Sequence, residues 1–176
     1  MTVSSTPEGV SVQPRHLHFD VSEDLKTFWH GDDAFRTAFF NALSLQFPDG
    51  EQQFINAVRR YRDRIDDPKL KAEIRGFIGQ EALHSREHKA YNEALKARGY
   101  DIDGLERRFH KHMEWVGKLA PSRQLAGTCG AEHYTAVLAN AILSDPEWLS
   151  GATPAMAQLW RWHAIEETEH KSVAFD

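Results

Sequence analysis

The chain of 176 residues has a single cysteine, Cys129, which excludes an intramolecular disulfide and fits a reducing compartment. It has no basic excess: 21 Lys and Arg against 26 Asp and Glu leave a formal charge of −5, so nucleic acid is not an expected partner. No apolar run approaches the roughly 18 residues of a membrane span. The N-terminus lacks the basic-then-apolar pattern of a secretory signal, and the cytoplasm is the expected location. Strand-like alternation is missing as well, which leaves an all-α chain.

The spacing of apolar residues predicts a series of helices. Residues 1–15, rich in Ser, Thr, Val and Pro, read as a flexible N-terminal arm, followed by one helical domain over residues 16–176. Helical spacing runs from Asp32 to Phe47, is interrupted at Phe47-Pro48-Asp49-Gly50, and resumes from Glu51 to Ile65. Pro48 either opens the second helix at its first position or kinks a longer one. Asp67 as N-cap, Pro68 at N1 and Gly99 past the end bound a long helix. Its inward stripe holds Leu70, Ile74, Phe77 and Ile78, then Glu81, His84 and His88, then Tyr91 and Leu95. Further helices are expected over Asp103–Leu119, Ser122–Leu143 and Pro154–Asp176. The last has no C-cap signal, so the natural protein is expected to continue past residue 176.

Polar residues in the middle of an apolar stripe are the informative detail, because a buried carboxylate without a partner is costly. Glu81-Ala-Leu-His84 and Glu167-Thr-Glu-His170 repeat one template. A Glu and a His three residues apart share a helix face, about 5–6 Å between Cβ atoms. With 14 Glu and 10 His, one such pair is expected by chance, so the ordered set carries the signal. Glu51, Glu81 with His84, Glu132, and Glu167 with His170 recur at helix-length intervals. Two Glu-x-x-His helices completed by a lone Glu from each of two others make the dinuclear carboxylate site of ferritin-like bundles.

The candidate metal ligands are therefore Glu51, Glu81, His84, Glu132, His163, Glu167 and His170. His163 joins them because it lies four residues before Glu167 on the same stripe. His88 and Glu166 are candidates to support the ligands by hydrogen bonds from behind. Tyr134, Trp160 and Cys129 read as packed core residues.

Leu45-Gln-Phe-Pro-Asp-Gly-Glu51, Gln80-Glu81-Ala-Leu-His84-Ser-Arg-Glu-His88 and Trp162-His163-Ala-Ile-Glu-Glu167-Thr-Glu-His170-Lys-Ser-Val-Ala-Phe-Asp176 resemble the bacterial "predicted metal-dependent hydrolase" family of ferritin-like proteins. The resemblance spans about residues 16–176. It implies a ferritin-like four-helix bundle with additional short helices and a metal-dependent enzyme. The ligand pattern of four Glu and three His is also similar to that of the di-iron arylamine N-oxygenases. The leading expectation is a di-iron centre that activates O₂ to oxidise a small organic substrate, with manganese or zinc as alternative metals. A two-metal hydrolase is the alternative, and a non-catalytic metal-storage or sensing bundle the third reading. Besides the substrate, the candidate partners are an electron-donor protein and a second copy of the chain.

Overall fold

The computed structural model describes residues 2–26 and 28–176, and five α-helices carry the architecture: α1 (Ala34–Arg59), α2 (Pro68–Ala97), α3 (Ile102–Gly117), α4 (Pro121–Ser144) and α5 (Pro154–His170). Short 3₁₀ turns lie at Asp24–Lys26, Arg62–Arg64 and Pro146–Leu149. Among the described residues there is no strand, only an isolated bridge between His30 and Ala152. The principal packing is α1 on α2 and α4 on α5. The two pairs meet through α1 with α4 and α2 with α5, while α3 packs against α1 and, less extensively, α2. The chain is an all-α helical bundle, as its periodicity predicts. No helix among the described residues is long and apolar enough to cross a membrane.

Helix starts follow the local chemistry. The Asp33 carboxylate accepts from the Phe35 and Arg36 N–H groups, and Asp67 accepts from Lys69 and Leu70, which relieves N–H groups that have no partner within the first turn. Gly99 takes the positive φ of +91° at which α2 ends, a conformation glycine adopts without steric cost.

Pro48 does not open a second helix: α1 runs unbroken through it for 26 residues. A proline has no N–H for the carbonyl four residues earlier, here that of Ser44. The Asn92 side-chain amide of α2 donates to that Ser44 oxygen at 3.1 Å. The lost backbone bond is thus replaced from the neighbouring helix. Glu51, expected in a first turn, consequently lies inside α1 and is 1% exposed.

Two further expectations change. α5 ends at His170 rather than Asp176, and the chain continues in turns closed by Val173 N–H to the His170 carbonyl. Thr6 and Ser5 bond to Ser172 and Asp176 there, while Val173 and Ala174 remain buried. Of residues 1–15, expected as a flexible arm, Met1 lies outside the described residues and residues 2–15 lie along α2 and α5. Val12 and Thr6 are buried, and a Cβ on Gly76 or Gly79 would collide with the Val12 carbonyl or the Pro14 ring.

The core is split along the bundle axis. At one end Trp29, Phe40, Tyr91, Leu95, Met156 and Trp160 pack together. At the other end Val12, Val58, Leu70, Ile74, Phe77 and Val173 form a second cluster. Each fully buried large aliphatic or Phe side chain contributes about 1.5–3 kcal/mol. On α2 the order is Leu70, Ile74 and Phe77 in one cluster, then Glu81, His84 and His88, then Tyr91 and Leu95 in the other. The polar residues sit between two apolar plugs.

Candidate metal centre

All seven candidate ligands converge in that middle layer, and none is more than 4% exposed. α1 supplies Glu51, α2 supplies Glu81 and His84, α4 supplies Glu132, and α5 supplies His163, Glu167 and His170. Their donor atoms form three overlapping triplets, each with mutual distances within 4.8 Å: Glu51, His84 and His163; Glu81, His84 and Glu167; and Glu81, Glu132 and His170. A cation with ligand bonds of about 2.1 Å spans roughly 4.2 Å between opposite donors, so small side-chain movements bring each triplet to bonding distance.

The imidazoles are aimed. His84 Nε2 donates to Glu166 at 3.0 Å, which leaves Nδ1 facing Glu167 at 3.5 Å. His170 Nδ1 donates to the Gln80 side-chain oxygen at 3.0 Å, and its Nε2 faces Glu81 at 3.1 Å and Glu132 at 3.3 Å. His163 is set by a longer relay. The Ser44 hydroxyl donates to the Asn92 oxygen at 2.8 Å, so it accepts from His88 Nδ1 at 2.9 Å. His88 Nε2 must then accept, at 2.9 Å, from His163 Nδ1. His163 Nε2 is left with its lone pair 3.1 Å from Glu167.

Three ring nitrogens therefore face Glu81, Glu132 and Glu167, with Glu51 in the same layer, an arrangement that repels itself unless protons or cations fill it. Fourteen buried side-chain polar atoms lack a hydrogen-bond partner among the described residues, and ten of them belong to these seven ligands. Native interiors rarely leave such atoms unpaired. The site residues thus fit a metal: hard carboxylate oxygens with imidazoles suit iron, manganese or zinc.

Without metal the cluster holds protons. Burial, then Glu81 and Glu167, push the Glu51 carboxyl well above the usual range, and burial does the same to Glu81. Burial raises Glu132 to about 7, against an offset from His170. Burial opposes a charge on His170, yet Glu132 and Glu167 overcome it and raise this imidazole well above its usual value. Burial also opposes a charge on Glu167, but the raised His170 holds that carboxyl well below its usual range. Burial and His163 lower His84.

The two supporting candidates take different positions. Glu166 is saturated: it accepts from the Arg15 N–H, the Arg15 guanidinium, the Trp162 indole and His84. This explains why its neighbour Glu167 faces the cluster instead. His88 lies in the relay behind His163. Sequence reasoning missed Ser44, Asn92, Gln80, Arg15 and Glu169. Asn92 lies four residues after His88 on α2, which is a usable signal. Arg15 has none, since it sits on an irregular segment. It pairs with both Glu166 and Glu169, and Glu169 accepts from Gln80, so one guanidinium lies behind both His84 and His170. Tyr134, expected in the core, is 66% exposed.

The relay makes a direct prediction. Ser44→Ala removes the acceptor that fixes the His88 tautomer, and His88→Phe removes the acceptor of His163. Both variants should lose about 10–100-fold in metal affinity while their helical circular dichroism stays unchanged. Unaltered affinity in both would show that His163 needs no orientation.

A helical bundle enclosing a buried carboxylate–imidazole cluster is the class of protein that this fold and this cluster define. The model of the family described as "predicted metal-dependent hydrolase" matches residues 13–176, and the chain belongs to that family. No curated protein and no solved structure matches it. Metal dependence is supported by the family and by the clustered Glu and His residues. The oxygen-activating reading drawn from the ligand pattern gains no support from the family match, which favours the hydrolytic alternative.

Proposed function

We propose that the chain is a two-metal hydrolase whose metals are held by Glu51, Glu81, His84, Glu132, His163, Glu167 and His170. The observation that carries this reading is the convergence of ten unpaired buried donor atoms on one layer. The middle triplet shares His84 with one neighbour and Glu81 with the other; of the two, only the Glu81 carboxylate has a second free atom to offer, since His84 Nε2 is bonded to Glu166. Bound divalent cations would supply Lewis acidity and a water of lowered pKa.

The chain's own residues do the rest. Glu166, Gln80 and His88 hold the imidazoles so that the ligating ring nitrogens face inward before any metal arrives, which removes a reorganisation cost from binding. Phe77 and Trp162 stand edge-on to the His170 and His84 rings and, with Phe47 beside His163, keep bulk water from the layer. Hydrolysis needs no redox change, so the N/O donor set serves zinc or manganese as readily as iron.

Oxygen activation by iron is the second reading, favoured by one feature. Two of the three imidazoles, His84 and His163, share a triplet with Glu51, whereas His170 stands in another. The two positions are inequivalent. This reading alone requires an electron donor. The test is elemental analysis, followed by assay of the zinc- and manganese-loaded protein on carboxylic and phosphate esters, beside mixing of the reduced iron form with O₂. Ester cleavage that disappears in Glu81→Ala is the expected result. A visible-absorbing species with O₂ and no cleavage of any ester would replace the hydrolase reading with the second.

A further inference from the structure

A cavity of about 340 Å³ opens between α1, α3 and α4, and Glu51 is part of its wall. Its other walls include Leu43, Phe47, Phe54, Phe109, Met113 and Val116. A narrow crevice of about 20 Å³ shares Phe47, Thr135 and Leu138 with it and reaches His163 and Glu167. The cavity is within the size range of small-molecule sites, about 300–1,000 Å³. Apart from Glu51, whose two carboxylate oxygens are unpaired, its lining contains no Asp, Glu, Lys or Arg.

From this adjacency, and from Glu51 in the wall, we infer that the cavity is the substrate chamber, and that it takes a molecule with an uncharged apolar chain whose reacting group ends at Glu51. No lysine or arginine lines the chamber, so a charged group held along its length would be desolvated against mainly apolar walls without compensation; the Glu51 end, where metals would be held, is the exception. An apolar chain gains by the same burial. The cluster is entered from the Glu51 and His163 side, while Glu81 and His170 lie on the far side. The inference rests on the hydrolase reading only for the bond that breaks, which is then a carboxylic ester. Water oxygen adds to the acyl carbon, the acyl carbon–oxygen bond breaks, and a water proton goes to the departing alkoxide, giving an acid and an alcohol.

Binding is measured apart from turnover. Calorimetry with 1-butanol through 1-decanol should show affinity rising about fourfold per methylene until the cavity is full. In the metal-free protein, alkyl phosphates of equal length should not compete. Gly127→Phe, at a position where an added Cβ meets nothing within 4 Å, and Val116→Trp should each weaken decanol binding at least tenfold with metal content unchanged. Ala72→Phe, on the exposed face of α2, should leave it unaltered. Chain-length-independent binding, decanol affinity unchanged from the parent in both filled variants, or competition by alkyl phosphates in the metal-free protein would overturn the chamber. If decanol binds as described but no p-nitrophenyl ester from acetate to decanoate is cleaved, the chamber stands and the hydrolase reading falls.

Discussion

Glu81→Gln should reverse its effect on stability when metal is supplied. Glu81 belongs to two of the three donor triplets, so its loss weakens both metal positions at once. The variant should lose more than the roughly 10–100-fold in affinity that a missing outer partner costs. A metal at about 1,000 times its dissociation constant stabilises the folded chain by about 4 kcal/mol, which for this length corresponds to a Tm rise of roughly 8–16 °C. That rise should be nearly absent in Glu81→Gln. With chelator the order changes, because the variant removes a carboxyl that burial already disfavours as an anion. It should then be at least as stable as the parent. Glu93→Ala, on the exposed side of α2, is the reference. Glu87→Ala would be a poor one, since Glu87 is buried and accepts from the Phe19 N–H. Equal metal content in Glu81→Gln and Glu93→Ala would end the ligand assignment.

Metal affinity should fall steeply with acid, through protons held by the metal-free cluster. Glu51, Glu81 and Glu132 have folded-state values raised above 4.5, Glu132 to about 7. A raised carboxyl contributes stability below its unfolded value and loses it as pH rises through the folded one. The raised His170 has the same sign. Glu167 and His84, both lowered, have the opposite one: their contribution is present above 4.5 and 6.5 and lost as pH falls. The metal-free melting curve therefore mixes opposing slopes, whereas metal binding does not. It must expel every proton from the raised groups. Calorimetry in buffers of different ionisation enthalpy should show more protons released at pH 6 than at pH 8, and the metal-induced Tm rise should shrink between pH 7.5 and 5.5. A release that is the same at both pH values would show that the raised carboxyls are not ligands.

The parts of this architecture legible in the sequence are those governed by period and spacing. α2 is bounded by Asp67, Pro68 and Gly99, and its stripe shows where apolar packing stops and the polar layer begins. The Glu-x-x-His repeats bring Glu81, His84, Glu167 and His170 to one level because helical geometry alone decides which residues share a face. Pro48 was ambiguous for a physical reason: local rules allow a break or a continuous helix, and the deciding amide, on Asn92, belongs to another helix. Residues 2–15 have too little apolar surface to announce packing. The gaps that admit them, at Gly76 and Gly79, appear only once α2 has neighbours. The cavity needs three helices to exist, so no single segment encodes it.

The span of the outer hydrogen bonds also orders events during synthesis. Arg15 meets Glu166 across 151 residues of chain, and Gln80 meets His170 across 90. At ribosomal rates of about 5–20 residues per second, Gln80 waits roughly 5–20 s for its imidazole. α1 and α2 can pair as a hairpin in that interval, with Glu51, Glu81 and His84 open to water and only half a ligand set assembled. Metal capture then belongs to the closing step of folding, when α5 docks. A nascent chain halted before α5 holds no complete site to load.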